Sequence, residues 1–536
     1  MRKFLFFVWV SIFAVNAIAS TATFIPTSKV VESSLNSTSA IASTNSSIDE
    51  AKDSKVKNII LLIGDGMGAA QVGLLETYAQ NAPNSIYAGE PTSLQALASQ
   101  GKTVLSMTSV HNAIVADSAC SASQLATGVA CRSEMIGLDI NGDPVETVLE
   151  QAKRMGKSTG LVSDTRITHA TPAAFAAHQA HRDMEAAIAE DLIKNRVDVL
   201  FSGGLSFFLP NKKDLITATQ LHLIYKANLN TKSRRKDKKN LLTTASNKGY
   251  QLAFSNMQLH AIKQTPVLGL FNNSVMVDAL TERDDVQRTY PSLQEMTVKA
   301  LQLLEQNDNG FFLMVESGQI DWTAHNNDAG GLLHEMLRMD DTLKSILNWA
   351  QDRDDTLIVV TGDHETGGFG FSYSNAEVPA ASKLTGAAFK KKYFSPDYNF
   401  APMDLLDKLY TQKKGTYSLW LEAIENGKEG RATAESLMAA VNDNMEFKIT
   451  KEQADRVLKV PAKIQDFSDF YVYEDEKPLN LLGRELAVQQ NVVWSTGTHT
   501  ASPVPVFVLA PEAIMAKFNG IMTHRQIGTE LKNSFK

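Results

Sequence analysis

The sequence predicts an α/β fold built on a buried sheet of parallel strands, and two observations carry that prediction. From Lys57 onward short apolar runs recur, each ending in small or acidic residues, and the stretches between them are amphipathic. The composition is that of a globular chain able to bury a substantial core, with 536 residues, 43% apolar and 21% charged, so neither disorder nor a coiled coil accounts for most of it. The predicted strands are Asn58–Ile63, Ser158–Val162, Val197–Phe201, Phe311–Val315, Thr356–Thr361 and Pro505–Leu509, with helices over Tyr290–Gln306 and Leu332–Ala350. Two regions break the pattern. Residues 211–248 form a Lys/Asn-rich excursion in which Arg234-Arg235-Lys236 is expected to be solvated surface. Residues 374–477 read as an inserted subdomain, with short helices predicted at Pro402–Gln412 and Ala432–Val441. No repeat of fixed period occurs, which sets solenoids and propellers aside.

Arg2 and Lys3 precede an apolar run from Phe4 to Val15, and Ala17-Ile18-Ala19 supplies small residues, so residues 1–19 read as a secretory signal cleaved after Ala19. Residues 20–55, rich in Ser, Thr, Asn and Ala without a period, read as a loose tether. The expectation is an exported protein, periplasmic or secreted, with no membrane attachment once the signal is removed. The formal charge is −7 and no basic block is read as dominating a region, so a polyanion-binding surface like that of a DNA-binding protein is not expected, nor a nucleic-acid partner. Phosphate would have to be met locally. Cys120 and Cys131 are the chain's two cysteines. A helix over Ser118–Thr127, rising ~1.5 Å per residue, would hold them beyond the ~7 Å limit of a disulfide unless the chain doubles back after Gly128, and free thiols are the expectation.

In open parallel sheets ligands gather at the carboxyl ends of strands, and there the sequence is unusually rich in ligand types. The first strand ends in Gly64-Asp65-Gly66-Met67-Gly68, where Asp65 is the side chain able to hold a cation, although a simple turn reads the same. Another ends in Gly362-Asp363-His364-Glu365, where a turn begun at glycine can bring Asp363 and His364 onto one ion. Phe311–Val315 leads into Glu316 and then Gln319-Ile320-Asp321-Trp322-Thr323-Ala324-His325. With a helix starting near Gln319, Asp321 and His325 lie one turn apart on one face, a spacing that suits zinc and equally an ordinary polar pair. His499 sits in a loop before the last strand. Asp117-Ser118-Ala119-Cys120 opens a short helix whose N-terminus favours an anion at Ser118, or in which Asp117 or Ser118 merely caps. No His neighbours Ser118 in sequence and no GxSxG elbow occurs, so an esterase triad is poorly supported. Together these carboxylates and imidazoles suit two zinc ions and one harder ion such as magnesium.

Six segments in order, NIILLIGDGMG, ADSACSASQLATG, GLVSDTRITHATPAA, MVESGQIDWTAH, VVTGDHETGG and STGTHTASPVPV, resemble those of alkaline phosphatases. The resemblance covers roughly Lys57 to Leu509 outside the two excursions. It implies a three-layer α/β/α sandwich with a central, mostly parallel sheet and inserted subdomains. It implies that Ser118 is the nucleophile that becomes a phosphoserine and that Arg182 grips the phosphate. One zinc would be held by Asp321, His325 and His499, a second by Asp65, Asp363 and His364, and magnesium by Asp65, Thr171 and Glu316. His169 and Trp322 stand where the best-known bacterial pattern has Asp and Lys, beside the magnesium and phosphate. By resemblance the substrates are phosphate monoesters, the product is inorganic phosphate and the assembly is a homodimer. The rivals are a phosphodiesterase on the same metal core and a periplasmic phosphate binder without activity. A sulfatase is disfavoured because Ser118-Ala119-Cys120-Ser121 lacks the C/S-x-P-x-R context.

Overall fold

A computed structural model describes residues 56–390, 392–459 and 477–535. The expected signal peptide and tether lie outside the described residues. Everything described belongs to one compact unit, Asp53–Lys536.

Its centre is a ten-stranded sheet whose strands, in chain order, are β1 (Asn58–Gly64), β2 (Lys102–Met107), β3 (Ser158–Arg166), β4 (Val199–Gly203), β5 (Gln251–Ala253), β6 (Val267–Leu270), β7 (Phe311–Ser317), β8 (Thr356–Gly362), β9 (Val504–Leu509) and β10 (Ile521–Thr523). Across the sheet the order is β10-β2-β9-β8-β1-β7-β3-β4-β6-β5. All pairs are parallel except those of β9, which runs antiparallel to both β2 and β8. The six apolar runs read from the sequence are all strands. The four added ones are short or carry one apolar face, as in the half-exposed Lys-Thr-Val-Leu-Ser-Met of β2, and give no long apolar signal.

Period-two alternation makes the layers. In β1, Ile60 and Leu62 enter one core with the helices Leu293–Leu304 and Ala329–Ala350, while Ile59, Leu61 and Ile63 enter a second core with Ser118–Thr127 and Glu185–Asn195. β7 divides likewise, Leu313 and Val315 against Phe312 and Met314. A strand covered on both faces must be apolar at every position, which is why these runs were legible.

Residues 211–248 hold two helices, Ala218–Lys226 and Leu241–Asn247. Here one expectation is corrected. Arg235 is 3% exposed, its guanidinium donating to the carbonyls of Ala186 and Phe207 and pairing with Glu190 and Asp237 at 2.7 and 2.6 Å. A buried arginine keeps its charge by saturating its five N–H groups, and this one does so. The insertion carries helices over Asp404–Tyr410 and Ala434–Asn444, close to the two predicted, and others over Thr416–Glu425 and Lys451–Leu458. It is fastened to the core through Asp328, which accepts from Gln412 Nε2 at 2.9 Å and from Thr416 N–H at 2.7 Å.

The free-thiol expectation is also overturned, because Cys120 and Cys131 form a disulfide with Cα atoms 5.7 Å apart. The helix does span Ser118–Thr127, but Gly128 at φ 75° ends it in a left-handed cap and the chain reverses alongside it. Closing so short a loop is worth roughly 3 kcal/mol. Cys131→Ser is therefore expected to lower the melting temperature by a few degrees, and thiol titration of unfolded, unreduced wild type should find none. Two reactive thiols per chain would contradict the bridge.

Candidate active site

The carboxyl ends of β1, β7 and β8 are neighbours, so the segments that follow them converge. Gly66, at φ 78°, turns the chain after Asp65, and a Cβ there would lie 2.7 Å from Asp321 Cα. That close approach is what the glycine permits. Gly66 N–H and His364 N–H both donate to Asp363 Oδ1, at 3.1 and 2.9 Å, which turns Oδ2 inward without a hydrogen-bond partner. His499 reaches the same edge because β9 is antiparallel, so its amino end lies beside the carboxyl ends of the others.

Asp321 and His325 lie on the helix Gln319–His325, one turn apart as predicted. His325 Nδ1 donates to Gly497 O at 2.7 Å and His499 Nδ1 to Ala116 O at 2.8 Å. A carbonyl can only accept, so each ring carries a proton on Nδ1 and turns Nε2 into the site. Those two Nε2 atoms face each other 3.2 Å apart, with Asp321 oxygens 3.3 and 3.6 Å away. Two imidazole nitrogens and a carboxylate converging within 4.8 Å are a donor set that one divalent cation can share.

His364 follows the same rule. Thr366 Oγ1 gives its proton to Asp321 Oδ1 at 2.5 Å and so accepts from His364 Nδ1 at 3.2 Å, leaving Nε2 to face Asp65 Oδ1 at 3.5 Å, Asp363 Oδ2 at 3.4 Å and Ser118 Oγ at 3.1 Å. The structure thus brings together Asp321, His325 and His499 in one group and Asp65, Asp363 and His364 in another, the ligand atoms of each within 4.8 Å of one another. A third group joins Asp65, Glu316 and His169. Glu316 Oε2 accepts from Ser163 and Thr165 hydroxyls, and Thr171 Oγ1 lies 3.4 Å from Asp65 Oδ2. Arg182 Nη2 donates to His169 Nε2 at 3.3 Å, which puts the ring proton on Nδ1 and turns an N–H toward Glu316. In this arrangement His169 orients Arg182, and the oxygens of Asp65, Glu316 and Thr171 remain for a hard ion. Trp322 meets His169 edge-on, centroids 5.8 Å apart.

The electrostatics agree. Burial pushes Asp363 up to about 7 and Asp65 well above its usual range, and the charges of Asp321 and Glu316 push both the same way, Asp363 adding to the rise at Asp65. Burial drives His499 down to about 4 and His364 well below its ordinary value, so both rings are neutral, as ligands must be. Three buried carboxylate oxygens of these groups lack hydrogen-bond partners: Asp65 Oδ1, Asp363 Oδ2 and Glu316 Oε1. The donor set fits divalent cations.

Ser118 is the first residue of its helix and is 2% exposed. Asp117 is the cap, accepting from Ala119 and Cys120 N–H, and it also accepts from Glu134 N–H and holds Arg182 Nη1 at 3.2 Å. The amides expected to bind an anion are therefore partly taken by Asp117, and the anion's charge must be met by Arg182 and cations. Sequence reading missed Ser121 and His524. Both donate to the carbonyl of Asp363, His524 from Nε2 at 2.7 Å while its Nδ1 accepts from Ser106 Oγ at 2.7 Å. Ser121, one turn after Ser118, shares its helix face; nothing local to His524 pointed to the site.

The chain matches the alkaline phosphatase family over residues 56–536. It is 35% identical over 325 residues to alkaline phosphatase 4 of Bacillus subtilis, covering 59% of this chain and 62% of that protein. With alkaline phosphatase 3 of the same organism the identity is 29% over 515 residues, covering 95% of each. The crystal structure of a cold-active alkaline phosphatase from the psychrophile Shewanella sp. superposes with a TM-score of 0.66 at 26% identity, covering 89% of this chain and all of that one. With the fold, the three ligand groups and the buried serine in place, the chain belongs to the alkaline phosphatase family and is a phosphatase.

Proposed function

We propose that this chain hydrolyses phosphate monoesters through a phosphoserine at Ser118, with zinc held by Asp321, His325 and His499, a second zinc by Asp65, Asp363 and His364, and magnesium by Asp65, Glu316 and Thr171. The observation that carries the reading is the convergence of Asp321, His325 and His499 in one group and of Asp65, Asp363 and His364 in another, with Ser118 Oγ 3.1 Å from His364 Nε2. When bound, such ions supply positive charge that lowers the pKa of a hydroxyl and screens the phosphoryl oxygens.

The chain's own groups do the rest. Asp117 holds the helix so that Ser118 Oγ stands at its amino end, 3.1 Å from His364 Nε2. Arg182 spends one N–H of each Nη on Asp117 and His169 and keeps the second of each for two phosphoryl oxygens. The Oγ–P bond forms as the bond to the alcohol oxygen breaks, and the alcohol leaves with a proton. Water then attacks phosphorus, Oγ departs and regains its proton, and inorganic phosphate is released; one water is consumed per turnover. Recognition rests on the phosphoryl group, which supports broad specificity.

The test compares p-nitrophenyl phosphate with bis(p-nitrophenyl) phosphate. Faster turnover of the diester would replace this reading with the phosphodiesterase one, and phosphate binding without turnover of either with the binder. Arg182→Ala removes charged hydrogen bonds worth about 1.5–3 kcal/mol, so KM should rise roughly ten- to hundredfold. Unchanged KM and unchanged inhibition by phosphate would remove Arg182 from the grip. The proposal includes export with cleavage after Ala19 and a homodimer, checked by the mature N-terminus and by sedimentation.

A further inference from the structure

Charge summed over the chain hides a local reversal. Residues 211–248 contain ten Lys and Arg against two Asp, in a protein whose formal charge is −7. Among the described residues, the ion pairs of this excursion are those of Arg235 and Lys239. Lys212, Lys213, Lys232, Arg234, Lys236 and Lys238 are exposed and have no described carboxylate partner. They form one surface because the backbone beneath them is tied together: Asn211 bonds to the carbonyls of Lys236 and Asp237 at 3.0 and 3.1 Å, and Asn240 to that of Leu215 at 2.9 Å. Lys213 lies over the Tyr225 ring and Arg234 over that of Phe207, at 5.3 and 5.7 Å.

This surface is anchored to the helix that follows Arg182. The excursion follows β4, whose carboxyl end is on the same sheet edge as those of β1, β7 and β8. Arg235 and Lys239 fasten it, each at 2.7 Å, to Glu190 on the helix Glu185–Asn195. That helix begins three residues after Arg182, and Glu185 pairs with Arg166 and accepts from Thr168, next to His169.

We propose that the excursion is a docking surface for the unreacting part of a phosphorylated polymer, a chain of repeating phosphate charges whose terminal monoester enters the Ser118 site. The proposal rests on the phosphomonoesterase reading and extends it to a substrate class. Keeping the cations unpaired costs the protein self-repulsion, and a polyanion offsets it by releasing its own counterions.

Turnover is compared for a short 5′-phosphorylated oligothymidylate and for thymidine 5′-monophosphate, which present the same ester. The proteins are wild type and a variant carrying Lys212→Gln, Lys213→Gln, Lys232→Gln, Arg234→Gln, Lys236→Gln and Lys238→Gln, all exposed positions that leave the Arg235 and Lys239 anchors intact. At low salt the oligonucleotide should show a kcat/KM roughly tenfold above the mononucleotide. The excess should vanish in the variant and in high salt, with mononucleotide turnover unchanged. Binding of the unphosphorylated oligothymidylate should weaken in parallel. An oligonucleotide-to-mononucleotide ratio equal in both proteins overturns the proposal. So does tighter, variant-sensitive binding to anionic phospholipid vesicles, which would make this face a membrane contact. Wild type inert toward the mononucleotide would overturn the phosphomonoesterase reading as well.

Discussion

Ser118→Ala is expected to lower turnover of p-nitrophenyl phosphate by a factor on the order of 10⁴ to 10⁶, the scale on which loss of a nucleophile acts elsewhere. The fold should not notice. Asp117, not Ser118, caps the helix, and Ser118 Oγ has its hydrogen-bond contact with His364. Deleting one hydroxyl from a residue 2% exposed leaves a void smaller than a methyl group. The zinc content of the variant should therefore match wild type, which separates a lost nucleophile from a lost metal site. Acid-quenched wild type should carry phosphate on Ser118 and the variant none. Activity within about tenfold of wild type, or a phosphorylated residue elsewhere, would refute the assignment.

Stripping divalent cations with a chelator should abolish turnover and change how stability depends on pH. In the cation-free protein burial holds Asp363 at about 7 against an ordinary 3.8, and Asp65 is displaced upward for the same reason, reinforced by Asp363 and Asp321. A carboxyl whose pKa is raised by folding contributes its full stability below the unfolded value and loses it as pH climbs through the folded one. Between about pH 4 and pH 6.5 that loss is opposed by His364 and His499, whose lowered pKa values add stability as the unfolded rings give up their protons. The stripped protein's melting temperature should therefore fall chiefly near and above about pH 7, where the deficit relative to zinc-loaded protein should be greatest. Adding zinc back should restore turnover and close the gap. A gap that does not widen as pH rises through about 7 would show that these carboxylates are not crowded in the fold.

Some of the site was legible because it is encoded over short distances. Capping and small residues placed the helix Ser118–Thr127 residue for residue, and the i,i+4 spacing put Asp321 and His325 on one helical face. The strand ends that carry Asp65, Glu316 and Asp363 followed from uninterrupted apolar runs, since only strands buried on both faces read that way. Long-range pairings did not register in any such pattern. His499 is oriented by the carbonyl of Ala116, 383 residues away, and the carbonyl of Asp363 is gripped by His524, 161 residues away. Of the cluster read as solvated, Arg234 and Lys236 are exposed, and Arg235 alone is buried because its carboxylate at Glu190 comes from another helix.

By itself the amino-acid sequence determined the α/β class, the strand ends that bear ligands and the chemical types gathered there, because local periodicity and capping depend on a few consecutive residues. The tertiary structure alone decided the antiparallel course of β9 that delivers His499, the Cys120–Cys131 bridge, the tautomer of each imidazole and the part played by Ser121 and His524. Each of these turns on which backbone carbonyl or side chain lies across a fold-back, and hydrogen-bond direction is set by the partner present rather than by neighbours in the chain.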